Sequence, residues 1–448
     1  MSSSGRVGMQ QPFFRRFRGE LFLSLCKTFV ARGIAALGTL FLGLVLGRLY
    51  GADGVGVFAL AQSVILGAGI IARFGLNGTL MRYVSQDNDS PNIPVYLRWS
   101  VVRSGGLSIT IGVLVWLSRD WVAIFFGSLA LADVLASIAL AIPAFTLSFV
   151  LAGFLKGVGM PARASLQENG SISLLAAACI LALFWTTESH SLSQAGWGFC
   201  LAAWLVGGQG AIQTWLWLRR HPLVTSVGAD ESTLPSRETY FSTAHSFIVL
   251  NVSQFLQQVL SVMIAGALLS HADLGLFKSA ERVALMISFI LLVINAVFPP
   301  RFARLFHQGK HTQLKRLAQQ SSMVATVLAL PPAAICFLFP EWVLGWFGDE
   351  FRQAANLLRI IAIGQLINVT TGAVGFLLTM TGREKVMRNI SLACSTLGTV
   401  SFFVLIPVFG ATGAALSLML VLVLQNVVAA LVVWRKMDIV MLPWPVKL

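Results

Sequence analysis

The stretch Leu21–Tyr50 reads LFLSLCKTFVARGIAALGTLFLGLVLGRLY, a proline-free apolar run that limits what the chain can become. At about 1.5 Å per residue, a helix of this length crosses a hydrocarbon core of about 30 Å. Lys27 and Arg32 interrupt it, and Arg32 lies roughly 16 Å in from Leu21, near mid-bilayer. A cation at that depth costs at least about 2.5–3.5 kcal/mol, so Arg32 is expected to face a wet cavity or a partner rather than lipid. Thr28, Arg32, Ala35, Ala36, Thr39 and Gly43 fall three or four apart, a narrow small-and-polar stripe on an otherwise apolar rod. Two readings stand. Either this is a cationic site in a membrane cavity, or Lys27 snorkels to the headgroups and Arg32 hydrogen-bonds a neighbouring helix.

The remainder of the chain continues the theme. Of 448 residues, 56% are hydrophobic and 11% charged, against about 25% charged in soluble domains. The composition therefore describes an integral membrane protein. The formal charge of +14 does not argue for nucleic acid, because the Lys and Arg residues sit between apolar runs rather than in one patch. The five cysteines (Cys26, Cys179, Cys200, Cys336, Cys394) lie within apolar runs without a pairing pattern and read as small core residues. Arg15, Arg16 and Arg18 precede a run too long for a signal peptide, so the first span is expected to remain uncleaved.

Apolar runs between breakers number about twelve, at roughly 21–49, 55–76, 97–118, 132–156, 166–186, 194–218, 241–268, 275–299, 319–339, 353–379, 387–407 and 411–434. The expected organisation is a basic head at 1–20, a six-helix bundle at 21–218, a linker at 219–240, a second bundle at 241–434 and a tail at 435–448. With both termini inside, the cytoplasmic loops collect most of the 32 Lys and Arg residues. The outer ends receive only Arg48, Arg119, Lys278, Arg282 and Arg352, as the positive-inside bias requires. Lys27, Arg32, Arg103 and Arg359 remain inside spans.

The halves repeat. Gly56, Phe58 and Ala61 align with Gly275, Phe277 and Ala280, and the same offset carries Arg82-Tyr83 onto Arg301-Phe302. Gly153-Phe154-Leu155 likewise matches Gly375-Phe376-Leu377. An offset of six spans preserves orientation, so the halves are expected to be parallel bundles about an axis along the membrane normal. Two bundles across a central cavity form a transporter architecture. In this register Arg32 falls opposite Asn251, in a span where Asn251, Gln254, Gln258 and Ser261 make one polar face. That face is either cavity lining or interhelical glue, and the two can coexist. Gln62, Asn295, Gln365, Asn368, Gln425 and Asn426 are single mid-span polar residues expected to serve packing.

Gly47-Arg48-Leu49-Tyr50-Gly51-Ala52-Asp53-Gly54-Val55-Gly56-Val57-Phe58, Leu274-Gly275-Leu276-Phe277-Lys278-Ser279-Ala280-Glu281-Arg282 and the C-terminal half from Phe347 carry a family likeness. So do Met380-Thr381-Gly382-Arg383 and Ile406-Pro407-Val408-Phe409-Gly410-Ala411. The chain resembles the polysaccharide-export, or O-antigen-flippase-like, branch of the multidrug/oligosaccharidyl-lipid/polysaccharide exporter superfamily. The resemblance implies an all-α, MATE-like fold, alternating access, and flipping of an undecaprenyl-pyrophosphate-linked oligosaccharide from inner to outer leaflet of a bacterial inner membrane. It implies no cofactor, with coupling to membrane potential, H+ or Na+, and membrane lipids and polymerase or ligase machinery as partners. Relatives carry cationic cavity residues on the first span, a part that Lys27 and Arg32 match by position. Some members run to fourteen spans, where this chain shows about twelve.

The candidate substrate-binding set is Arg32, Lys27, Arg103, Arg359, Asn251, Gln254 and Gln258. Guanidinium binds phosphate bidentately, and amides suit sugar hydroxyls. Glu281 and Asp133 are the candidate coupling carboxylates, with Glu281 alternatively paired to Lys278 or Arg282 at the membrane rim. A cation-coupled multidrug exporter would want acidic cavity residues, yet the first span holds cations. A membrane glycosyltransferase or polymerase would need acid/base groups gathered in a large outer loop, whereas Glu188, His190, Glu341, Asp349 and Glu350 are scattered. His307 and His311 lack a third ligand for a metal. No Walker A motif is present, so no ATPase is expected on this chain.

Overall fold

The computed structural model describes residues 11–86, 90–186, 191–221 and 234–441, with no strand among them. In chain order the N-terminal half holds α1 (Gln11–Arg73), α2 (Leu76–Gln86), α3 (Ile93–Phe125), α4 (Leu129–Gly157), α5 (Pro161–Ser165), α6 (Asn169–Thr186) and α7 (Ser193–Arg220). The C-terminal half begins with α8 (Arg237–Phe255), a π turn (Leu256–Leu260), α9 (Ser261–Leu268), α10 (His271–Ser288) and α11 (Ile290–Val297). It continues with α12 (Pro299–His307), α13 (His311–Leu338), α14 (Pro340–Leu344) and a 3-10 turn (Asp349–Ala354). The last helices are α15 (Ala355–Thr370), α16 (Val374–Met380), α17 (Glu384–Phe409) and α18 (Ala411–Met437).

These helices make two parallel bundles of crossings. Among the described residues, seven helices are each long and apolar enough to span a bilayer. The other crossings are shorter or carry more polar residues. The first and second spans are one helix bent at Gly51, whose φ of 67° and ψ of −172° are accessible only to glycine. The bend frees the Ala52 N–H, which donates to Glu350 Oε1 of the other half at 2.7 Å. A helix break that looks local is thus capped from nearly three hundred residues away. The eighth span is divided between α10 and α11, and the tenth is interrupted between α15 and α16 at Gly372, φ 61°. The sequence showed each as one run because apolar composition is blind to such breaks.

Alternate crossings bring the helix ends carrying Arg73, Lys156, Arg220, Arg304, Arg383 and Arg435 to one end of the molecule, the basic end. Exposed Trp215 and Trp434 stand near it, and Trp121, Trp185 and Trp342 near the opposite end. These are two aromatic belts of the kind that sit at headgroup level. Between them, Leu140, Ile212, Leu328 and Val404 face outward, as lipid contact demands.

Within the polar connection expected at 219–240, residues 222–233 lie outside the described residues. α7 runs to Arg220, α8 begins at Arg237, and Tyr240 is fully buried. Its ring stacks on Tyr96 at 5.5 Å and its hydroxyl shares a 2.8 Å hydrogen bond with Ser100. Burial pushes that hydroxyl well above the ordinary tyrosine range, so it stays neutral. Ala244 and Phe247 then lie against Gly75 and Gly78 of the N-terminal half. Further along, Gln257 donates to Ser395 Oγ at 2.7 Å and to Gln425 Oε1 at 3.2 Å in the C-terminal half. The seventh span therefore packs on both bundles, and past the π turn its Gly266 still meets Leu60 of α1. The π turn, a widened coil that recurs at functional sites, carries the Gln257 that bonds the C-terminal half.

Buried Cys200, Cys336 and Cys394 and half-buried Cys179 are free thiols packed among helices. Cys26 lies outside the described side chains.

Candidate functional site

Between the halves lies a cavity of about 350 Å³, walled by Thr39 and Gln62 of α1, Gln257 and Gln258 of the π turn, and Lys278, Glu281 and Arg282 of α10. Arg282 is 8% exposed. Its Nη2 donates to Gln62 Oε1 at 3.2 Å, whereas Nη1 is buried with no acceptor among the described residues. The guanidinium fits there because position 43 is glycine: a Cβ would stand 2.7 Å from Nη1. Lys278 and Glu281 form an ion pair one helical turn away. Two cations and one carboxylate leave the wall with a net charge of +1. Burying a cation with an unmatched donor is costly, and such an expense inside a membrane makes Arg282 a candidate functional residue.

A second cavity, about 560 Å³, continues towards the basic end and shares Thr39, Leu66 and Gln258 with the first. Arg73 lies over the Phe149 ring at 4.2 Å and donates from Nε to the Gly69 carbonyl at 2.8 Å. Lys156 pairs with Glu168 at 2.5 Å on the same wall. At the opposite end the halves are shut. Gly56 and Gly275 bring the two helices into backbone contact, and Arg48 donates to the carbonyls of Trp346 and Gly345 at 2.7 and 3.3 Å. The pathway thus opens towards the basic end.

The expected site residues divide into three groups. Gln258 lines both cavities and Glu281 lines the central one. The side chains of Lys27, Arg32, Asn251 and Gln254 lie outside the described residues. Arg103, Arg359 and Asp133 line neither cavity. Arg103 is exposed and stacks on Phe241 at 4.6 Å and Phe74 at 5.3 Å; Arg359 donates to Asn356 Oδ1 at 3.1 Å; Asp133 lies exposed on α4. Those three sit within apolar runs, and each is exposed. Lys278, Glu281 and Arg282, expected at a rim, are instead on the inner wall. One signal could have found Arg282: Gln62 and Glu281 occupy the same place in the two repeats, so this stretch of α10 had to face α1. Gln365, expected in packing, also lines the central cavity, while Asn368, Thr371 and Asn426 form an interhelical network with bonds of 3.1 and 3.2 Å.

Two pseudo-symmetric helical bundles around a charged central cavity define a polytopic transport fold. The family model described as polysaccharide biosynthesis protein matches residues 24–306, and the chain belongs to that family. A MatE model also matches residues 246–405. The probable low-salt glycan biosynthesis flippase Agl15 of Haloferax volcanii is 23% identical over 426 residues, covering 92% of this chain and 83% of that protein. The capsular polysaccharide biosynthesis protein CapF of Staphylococcus aureus is 24% identical over 146 residues, 32% of this chain and 37% of that protein. Among solved structures, the lipid II flippase MurJ in an inward closed conformation superposes with a TM-score of 0.71 at 10% identity, covering 91% of this chain and 87% of that one. An inward-facing multidrug resistance MATE family transporter of the MOP superfamily gives 0.68 at 16% identity, covering 90% and 94%. At such identities the likeness is one of fold.

Proposed function

We propose that this chain is a flippase that moves an undecaprenyl-pyrophosphate-linked glycan from the inner to the outer leaflet by alternating access. The observation that carries the reading is Arg282, a guanidinium buried between the bundles with one arm on Gln62 and the other without an acceptor among the described residues. A phosphate oxygen is the acceptor such a fork fits. Gln62, Gln257, Gln258 and Gln365 supply amides beside it for sugar hydroxyls. The stripe read from the sequence supports the same site, since Ala35, Ala36 and Thr39 line the larger cavity and position 32 follows on that face by helix register. Lys27 and Arg32 are proposed to meet the pyrophosphate first and Arg282 to hold it at mid-path.

The bundles 21–218 and 241–434 are the proposed moving halves, joined by 219–240. The basic end, with both termini, is assigned to the cytoplasm of a bacterial inner membrane. Outward movement of an anion across an inside-negative membrane is favourable by about 2.3 kcal/mol per charge per 100 mV, so the potential can contribute drive, with H+ or Na+ coupling through Glu281 as the alternative. A cation-selective drug exporter fits less well, because the central wall is net positive. For a glycosyltransferase, two of the outer carboxylates are otherwise engaged: Glu350 caps Ala52 and Asp349 pairs with Arg352 at 3.0 Å.

The test is reconstitution in proteoliposomes with a fluorescent lipid-pyrophosphate oligosaccharide, its leaflet read by an impermeant quencher. Wild type is expected to flip it, Arg282→Ala to lose at least about tenfold and Arg282→Lys to recover part, because an ammonium keeps the charge but loses the fork. An Arg282→Ala protein that flips at the wild-type rate overturns the reading.

A further inference from the structure

A cavity of about 320 Å³ stands apart from the transport pathway, at the basic end of the C-terminal half. Its walls come from Phe306 of α12, His311 and Leu314 of α13, Arg383 ahead of α17, and the end of α18. α18 stops at Met437, where Asp438 takes a left-handed conformation with φ of 53° and turns the chain back, burying Ile439 and Met441. The turn is pinned twice. Asp438 accepts from Lys315 Nζ at 3.1 Å, and the Thr381 hydroxyl meets Met437 Sδ at 3.8 Å. The fold thus closes a chain reversal around a basic hollow.

The charges in that hollow are unbalanced. Arg383 is half-buried, and the partners of its Nη1 are the Thr381 carbonyl and hydroxyl, both at 3.5 Å. Arg435 and Lys436 have no acceptor among the described residues. Asp438 is the single acid among the lining residues, and Lys315 already engages it. The depth is fixed by neighbours. Exposed Trp434 immediately precedes Arg435, and α12 sets Arg301, Arg304 and His307 against buried Phe302, the pattern of a helix lying in the membrane interface. From the pocket an apolar track leads into the bilayer, since Val427 and Leu431 are exposed and lie four apart on the face that ends at Arg435.

We propose that this pocket binds the phosphate headgroup of an anionic phospholipid of the basic-end leaflet, with its acyl chains along Val427 and Leu431. Basic pockets between transmembrane helices at the interface recognise such headgroups. A bound lipid would tie together α12, α13, α17 and α18, which reach the pocket from distant points in the chain.

Native mass spectrometry of the full-length protein in detergent tests this, with equimolar dioleoyl phosphatidylglycerol and dioleoyl phosphatidylcholine as probes. Wild type is expected to retain one phosphatidylglycerol with about tenfold preference. Arg383→Gln/Arg435→Gln should lose the preference, while Arg163→Gln/Arg220→Gln, which removes equal charge elsewhere at the basic end, should keep it. Melting temperatures identify a variant that has simply unfolded, in which case the single change Lys436→Gln replaces it and should lower the preference. No preference in wild type, or an unchanged preference in the folded pocket variants, overturns the proposal. Displacement of the lipid by millimolar inorganic phosphate overturns the lipid assignment in favour of a soluble phosphate.

Discussion

Gly56 and Gly275 touch each other's helices at equivalent points of the internal repeat. A Cβ on Gly56 would overlap the carbonyl oxygen of His271, and a Cβ on Gly275 that of Ala52. Each carbonyl belongs to the residue four positions before the opposing glycine. This reciprocity is the local form of the two-fold relation between the halves, and it uses the small-residue contact that lets membrane helices approach closely.

Gly56→Ala is therefore expected to separate α1 from α10 at the closed end. Overpacking of this kind costs about 1–3 kcal/mol. A lower melting temperature in detergent should accompany faster maleimide labelling of a cysteine placed at buried Leu46. Unchanged labelling and stability would show that the contact does not hold the end shut.

Substitutions at Gln62 separate structural from functional roles of Arg282. Gln62→Leu strips the guanidinium of its described acceptor and should destabilise the protein by about 1.5–3 kcal/mol. Gln62→Glu should restore stability yet still impair flipping, since a carboxylate would occupy the fork meant for phosphate. Wild-type transport from Gln62→Glu would contradict that division.

Glu281→Gln releases Lys278 from its ion pair. Binding of farnesyl pyrophosphate, followed by tryptophan fluorescence, should tighten on the order of tenfold at low salt and gain less as salt is raised. Weaker binding would mean that Glu281 orients Lys278 rather than offsetting it.

Tyr240 anchors the seventh span to the N-terminal half. Tyr240→Ala should cost about 3–5 kcal/mol, because a fully buried aromatic leaves a large cavity. Tyr240→Phe, which loses only the hydrogen bond to Ser100, should cost about 1 kcal/mol. Thermal melts of both variants measure the difference, and equal losses would show that the hydroxyl, not the ring, is the anchor.

Part of the cavity lining was legible one residue at a time. Thr39, Ala35 and Ala36 were readable as a cavity face because three- and four-residue spacing fixes a helix face without reference to neighbours. Arg103 and Arg359 were not, because presence inside an apolar run says nothing about which way the helix is turned. Arg282 was hidden differently. Near a span boundary it counts as a rim charge, and only the packing of α10 against α1 places it on the central wall.

The sequence by itself determined the membrane class, the succession of spans, the basic end and the repeat, since each depends on composition and periodicity along one chain. The tertiary structure alone decided the bend at Gly51 capped by Glu350, the packing of the seventh span on both halves, and the Gln62–Arg282 contact. Each of these joins residues more than a hundred positions apart. Such a pairing exists only once helices have chosen their neighbours and their rotation, and local hydropathy is degenerate in both.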